Sequence, residues 1–325
     1  MGLEIKLPGA FTSIQDKGRR GYLSQGFIES GACDKYSMAV ANLFAGNLSE
    51  PELAVMEFTL KGGEITFTSD EVIALTGADM NPLKNGVPIP MYRPVVMKEG
   101  DSLSLGIASK GLRTYLAVYG GVAVLPVLGS RSTDIKSCLG GLDGRALKAG
   151  DVLQSGKSGE EIKRFAAAVY EMDFTSLAGE NESWFINPSN PFRYSADKRY
   201  VLLRTVPGPQ AEAFTEEGRN TFVRNPYQLT VDCDRMACRL NGPPIEFGKG
   251  GGYYFRCSHG RIGSDHLFGT SHCHAGRSSD HRRVCKDCHC YQYGYSRTGS
   301  AASGGLGDFS VRNCHGSGED CKERE

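Results

Sequence analysis

From Gly251 to Glu325 the chain has only five residues that are leucine, isoleucine or valine: Ile262, Leu267, Val284, Leu306 and Val311. Ordering a segment costs on the order of 1–2 kcal/mol per residue in backbone entropy. Burying an aliphatic side chain returns about 1.5–3 kcal/mol. Five such side chains cannot offset the ordering of so long a stretch, so it has no means to build a core of its own. The same stretch holds all seven histidines and seven of the eleven cysteines. Before Gly251 the chain is rich in Leu, Val, Ile and Ala, and Cys33, Cys138, Cys233 and Cys238 are widely scattered.

A chain of 325 residues is long enough for two domains with sizeable cores. Its formal net charge is zero, which gives no bulk attraction to nucleic acid or to an anionic membrane. The start, Met1 to Ser13, has no apolar stretch of the kind a secretory signal needs. Lys6 stands where the myristoylation pattern requires Ser or Thr. No apolar run approaches the roughly 20 residues of a membrane span. The expectation is a soluble cytoplasmic protein with reduced thiols and no nucleic-acid or membrane partner.

Short runs of β-formers separated by glycine turns predict a mainly β protein. Gly63–Gly77 reads as two strands split by Ser69, Asp70 and Glu71. Asp101–Gly121 alternates, turns at Lys110-Gly111 and alternates again, which reads as a hairpin. One helix is expected after Asp34, which can cap it, with Met38, Val40, Leu43 and Phe44 as its apolar stripe and Gly46 as its end. Gly156–Asn190 reads as polar and irregular, and the domain boundary is placed there. A second β-rich unit begins at Arg199–Gln210, where the Pro-Gly-Pro must end a strand. A short helix over 211–217 and a strand over 227–232 follow. The expected domains are an N-terminal barrel over 1–190, the start of a second barrel over 191–250, and an aberrant, disordered tail over 251–325.

Three loops before the break carry charge among glycines or at a strand end. The first holds Gln15, Asp16, Arg19 and Arg20; the second holds Arg131, Ser132, Thr133 and Asp134; the third holds Asp234, Arg235 and Arg239. An arginine in such a loop can hold a carboxylate or phosphate with two parallel hydrogen bonds. Equally, these residues can be turn formers that bond their own backbone. Arg19, Arg131, Ser132, Thr133 and Asp134 are the candidate substrate-binding residues. Gln15, Asp16, Asp34, Asp234 and Arg235 are candidates for shaping the loops. Glu57 alternates with apolar neighbours and either faces a barrel mouth or forms a structural pair. No phosphate-binding glycine loop or dinucleotide fingerprint is present. No histidine precedes the break, so no Ser/His/Asp triad is available there. No catalytic residue is singled out.

The segment Thr12–Asn47 resembles the opening of one bacterial family, in Gln15-Asp16, Gly18-Arg19, Gly21, Gly31, Asp34, Asn42 and Gly46-Asn47. Further matching motifs are Ala74–Met80, Tyr115–Val122, Val127–Asp134, Gly140–Leu153, Val206–Gln210 and Asp234–Pro243. That family includes the C-type subunit of 5-oxoprolinase, the KipI antagonist KipA, and the carboxyltransferase segment of urea carboxylases, which is also known as the second part of allophanate hydrolase. The resemblance runs over about residues 3–247. It implies two cyclophilin-like β-barrels, the second left incomplete here by the tail. It also implies one part of an ATP-dependent hydrolase that opens 5-oxo-L-proline to L-glutamate with A-type and B-type (KipI-like) partners, using ATP through the assembled complex. Two alternatives share the fold: a regulator that binds a KipI-like kinase inhibitor, and a carboxyltransferase component using carboxybiotin. A biotin-acceptor context is not apparent around Met97-Lys98.

Cys285, Cys288, His289 and Cys290 fall within six residues, and His272, Cys273 and His274 lie nearby. The spacing suits zinc, but a structural zinc site needs a second ligand pair across a small apolar fold, which this composition lacks. Codon arithmetic gives another reading. Starting each codon one nucleotide later makes His274-Ala275 read Met or Thr, Lys286-Asp287 read Lys or Arg, and Cys288-His289 read Ala or Val. Gly269–Gln292 can then be decoded as GHPIVMLADRQTTGGYAKIATVI. This contains the motif with which the resembling family continues. The tail therefore reads as a β-rich half translated out of frame, with the break near Gly248–Gly252, and no metal site is expected.

Overall fold

A computed structural model describes residues 2–50, 52–157, 159–171, 200–207, 214–233 and 237–245, and four later strands, 262–265, 271–274, 285–290 and 308–313. For 200–207, 229–233, 237–239 and the four later strands, only the backbone is described. The chain divides into two compact units. One is Met1–Pro191 with Gly299–Gly304, the other Phe192–Thr298 with Gly305–Glu325.

The first unit runs β1 (Leu3–Leu7), β2 (Phe11–Gln15), α1 (Lys35–Phe44), β3 (Val55–Thr59), β4 (Glu64–Phe67), β5 (Glu71–Asp79), β6 (Leu83–Lys84), β7 (Val87–Pro88), β8 (Pro94–Met97), β9 (Ser102–Ser104), β10 (Lys110–Val118), β11 (Val152–Leu153) and α2 (Gly159–Glu171). The strands form two antiparallel sheets, ordered β11-β1-β4-β9-β6-β7 and β2-β3-β10-β5-β8. Leu3, Ile5, Ile65, Phe67, Leu103 and Leu153 of the first sheet meet Ile14, Met56, Phe58, Ile73, Leu75 and Leu116 of the second in one core. The opposite face of the five-stranded sheet is also covered. Met38, Ala41 and Ala45 lie on Val55, Ala74, Tyr115 and Ala117, and Ala166 and Val169 of α2 lie on Val72 and Val96. Burial on both faces accounts for the unbroken apolar stretches Val72–Leu75 of β5 and Tyr115–Val118 of β10.

The Asp34 carboxylate accepts from the Ser37 backbone N–H at 3.0 Å, capping α1 as expected. Of the expected stripe, Met38 and Val40 are buried and Phe44 packs against the core. The buried side centres on Met38, Ala41 and Ala45, while Leu43 is exposed. Gly46 has φ 91° and lies against the Phe165 ring, so a side chain there would be both strained and blocked.

Two other expectations are corrected in this unit. Asp101–Gly121 is not a hairpin: β9 pairs with β4 and β6 in one sheet, and β10 pairs with β3 and β5 in the other. Gly111, at φ 83°, makes an irregularity inside β10, where the register to β5 shifts between Lys110 and Thr114. The stretch read as irregular after Gly156 begins with α2, whose Ile162, Ala166 and Val169 recur at helical spacing on its buried side. Tyr119 stacks on Phe165 with centroids 4.7 Å apart.

The second unit runs β12 (Tyr200–Pro207), α3 (Glu216–Arg224), β13 (Pro226–Cys233), β14 (Ala237–Asn241), β15 (Ile262–Asp265), β16 (Ser271–His274), β17 (Cys285–Cys290) and β18 (Asp308–Asn313). Its helix lies later than expected. Thr215 caps it by accepting from the Gly218 N–H at 2.9 Å, and Glu216 and Glu217 sit favourably in the first turn. The strands close a barrel in the order β12-β17-β15-β16-β14-β13-β18. The backbone here departs from the expected incomplete barrel, because four strands come from the tail. Strand pairing uses main-chain groups that every residue but proline carries in full, so a ladder can form where side chains offer no core. Asp234, Arg235, Trp184 and the break at Gly248–Gly252 lie outside the described residues.

Candidate functional site

The candidate residues of the first two loops come together at the outer edge of β2. One side of β2 pairs with β3. The other side takes the Thr133 N–H on Ile14 O at 2.8 Å and the Leu147 N–H on Thr12 O at 2.9 Å, so the loop after Val127 covers the edge. Asp16 follows directly. Its Oδ1 accepts from the Gly18 N–H at 2.8 Å, from Ser130 Oγ at 2.7 Å and from Ser132 Oγ, and its Oδ2 accepts the Arg131 N–H. The Asp16 N–H donates back to Ser132 Oγ at 3.0 Å, and its carbonyl accepts from the Ala32 N–H at 2.9 Å. One buried carboxylate thus ties the Gly18 turn to three consecutive residues more than 110 positions away.

Arg19 is 0% exposed. Its Nε donates to Val127 O at 3.1 Å and its Nη2 to Ser132 O at 2.7 Å. Burial pushes its pKa down, against the opposing pull of Asp134 and Asp16. The guanidinium is therefore turned into the protein, while its neighbour Arg20 points out, 3.7 Å from Glu29.

The second loop is shaped by left-handed backbone. Val127 and Ser130 exchange main-chain hydrogen bonds around Leu128 and Gly129, at φ 53° and 72°. That is the sign pattern of a tight hairpin turn in which glycine is at ease and leucine is not. Gly140 and Gly141, at φ 66° and 56°, lie so close to Ser132 O, Arg19 Nη2 and Thr133 Oγ1 that a Cβ at either position would collide. Ser132, Thr133 and Asp134 are buried; Asp134 is paired through its backbone with Leu139. Arg131 differs. It is half-buried, its Nε donates to Val124 O at 2.9 Å, and among the described residues no carboxylate lies within ion-pair reach of its guanidinium. Beside it, Gly129 faces open space.

Gln15, Asp16, Arg19 and Arg131–Asp134 thus share one neighbourhood, as their sequence motifs suggested, but Ser130 and the Gly140-Gly141 pair were missed. The signal for the latter was present in the glycine-rich run after Asp134. Asp34 lies elsewhere, as the α1 cap, with its N–H donating to the Tyr115 hydroxyl at 2.7 Å. Glu57 is fully buried, accepts from the Cys33 N–H at 3.0 Å and lies 3.5 Å from Arg113 Nε. It is the paired carboxylate of the two readings offered. Burial, then the Glu57 charge, pushes the Tyr115 hydroxyl well above its ordinary pKa. Among the described residues no group of three His, Cys, Asp or Glu could hold a metal. No described helix is long and apolar enough to cross a membrane.

The loop therefore holds a half-buried guanidinium, that of Arg131, with no carboxylate partner among the described residues, a group suited to an oxyanion. The family model for the carboxyltransferase domain, subdomain A and B, matches residues 25–255. The chain is similar to the C-type subunit of 5-oxoprolinase from Escherichia coli, with 35% identity over 246 residues, 74% of this chain and 68% of that protein. It is 32% identical over 253 residues to urea amidolyase of Saccharomyces cerevisiae, covering 77% of this chain but 13% of that one. Among solved structures, the Kluyveromyces lactis urea carboxylase superposes with a TM-score of 0.75 at 26% identity, over 95% of this chain and 27% of that chain. The chain belongs to the carboxyltransferase domain family, subdomains A and B.

Proposed function

We propose that this chain is the C-type subunit of an ATP-dependent 5-oxoprolinase, working with A- and B-type partners to open 5-oxo-L-proline to L-glutamate. The observation that carries this reading is the match to the Escherichia coli C-type protein over 68% of that protein's length. Against urea amidolyase the chain spans only 13% of a much longer protein. A five-membered lactam resists hydrolysis, so ATP must first make its carbonyl a better electrophile. This chain has no phosphate-binding glycine loop, and the site is shared with the partners. Its own contribution is to hold an anionic group, the substrate carboxylate or a phosphate, on Arg131. Thr133 and Asp134 lie behind that contact, with Ser132 and Arg19 forming its rigid support. The compartment is the cytoplasm, where ATP is at hand.

A biotin-acceptor role does not fit the residues present. Met97 is buried in the core, and the turn of Lys98 to Asp101 joins strands of different sheets rather than forming a hairpin tip. The tail is read as out of frame. In support, the family match ends at residue 255, next to the change of composition at Gly251.

The test is to co-express the chain, with its reading frame restored near codon 250, with its A- and B-type partners and measure ATP-dependent glutamate release. Release that requires all of them supports the proposal. Tight binding to the B-type partner with no turnover in any combination favours the regulator of a KipI-like inhibitor instead.

A further inference from the structure

The Asp16 carboxylate does an unusual amount for one side chain. It takes the hydroxyls of Ser130 and Ser132 and the main-chain N–H of the residue between them. Three of its donors share Oδ1 and the Arg131 N–H takes Oδ2, and no ion pair forms to the Arg131 guanidinium among the described residues, so Asp16 fixes that residue's backbone without neutralising its charge. The guanidinium that does lie near Asp16 belongs to Arg19, which is buried and bonds Val127 O through Nε and Ser132 O through Nη2, while its Nη1 has no hydrogen-bond partner.

We propose that Asp16 is a positioning residue for Arg131: it fixes residues 130–132 so that Arg131, rather than the buried Arg19, meets an incoming carboxylate or phosphate. This rests on the reading of Arg131 as the anion contact, and it adds what sets that contact's geometry. Neutralising Asp16 as Asn converts one oxygen acceptor into a donor. A donor facing either the Arg131 N–H at one oxygen or the serine hydroxyls at the other breaks the arrangement, whereas the Arg131 side chain itself is untouched.

The test titrates the full chain, in complex with its A- and B-type partners, with 5-oxo-L-proline and separately with inorganic phosphate. The variants are Arg131→Ala, Asp16→Asn and the double variant, with thermal melting recorded for each. The probe whose binding Arg131→Ala weakens identifies whether a carboxylate or a phosphate is held. Asp16→Asn is expected to weaken the same probe by about tenfold, the size of one lost charge-assisted contact. The double variant should bind no more weakly than Arg131→Ala alone, because the two act through one contact. A merely structural role for Asp16 would lower the melting temperature but leave the two effects on binding to multiply. Should Asp16→Asn fail to fold, Ser132→Ala removes one hydroxyl bond to the same carboxylate and should weaken the probe by roughly two- to threefold. Wild-type affinity in Asp16→Asn, or in Ser132→Ala where that variant stands in for it, or multiplying effects in the double variant, would overturn the positioning role and leave Arg131 as the contact. If Arg131→Ala binds like wild type, or neither probe binds the wild-type complex, both the contact and its positioning fall.

Discussion

The two units use strands in opposite ways. In the first unit, pairing and packing agree: the strands that pair also supply Phe58, Ile65, Leu75 and Leu116 to one shared core. In the second unit, β15 to β18 complete the ring of strands, yet they fall in a stretch with five Leu, Ile or Val residues in all. Main-chain hydrogen bonds are available to almost any sequence, but net stability comes mostly from apolar burial set against chain entropy. Paired strands and a packed core are therefore separate properties, and among the described residues the first unit, with its two sheets on one core, shows both.

The largest effect expected from this contrast concerns the reading frame. Removing one nucleotide near codon 250, or adding two, should give the second unit a cooperative unfolding transition in calorimetry that the chain as it stands lacks. Identical transitions before and after the change would mean that the tail stabilises its barrel as encoded. The next effect compares one side chain from each region. Phe58→Ala, in the core of the first unit, should cost about 3–5 kcal/mol in denaturant unfolding. Val284→Ala in the tail should stay within about 0.5 kcal/mol. A cost above about 2 kcal/mol at Val284 would place it in a real core.

The smallest effect is a pH dependence confined to the first unit. Glu71 is fully buried, and burial raises its carboxyl pKa, partly countered by hydrogen bonds from Ser155 and Ser69. The unfolded chain ionises this group at its ordinary value. Above the raised folded pKa, the folded state therefore carries a desolvated carboxylate at a cost. That cost is relieved as pH falls through the folded pKa, and it is gone below the unfolded value. Glu71→Gln should stabilise the first unit near pH 7 more than near about pH 4. The opposite ordering would mean the carboxylate is favourably held.

Much of the first unit was legible in the sequence because its signals are local. Asp34 followed by Ser37 marks the start of α1 through a cap that spans three residues. Other features were hidden for identifiable reasons. The apolar stripe of α2 is thin and set among charged residues, so it was masked by the polarity of its surroundings. Lys110-Gly111 looks like a hairpin turn, but whether a left-handed glycine turns a chain or bulges a strand depends on partners far away. The site was half legible for the same reason. Motif residues could be named, but Arg19 and Arg131 look equivalent in a loop without periodicity. What separates them is contacts across more than 100 residues, from Arg19 to Val127 and Ser132.

The proposed frame break and the proposed role in opening a lactam meet in one measurement. It is ATP-dependent release of L-glutamate from 5-oxo-L-proline by the reconstituted complex. It should be run with the chain as it stands, with the frame-restored chain, and with neither. Release is predicted with the restored chain and none in the other two cases. Equal release from the chain as it stands and the restored chain, or undiminished release when both are left out, would contradict that prediction.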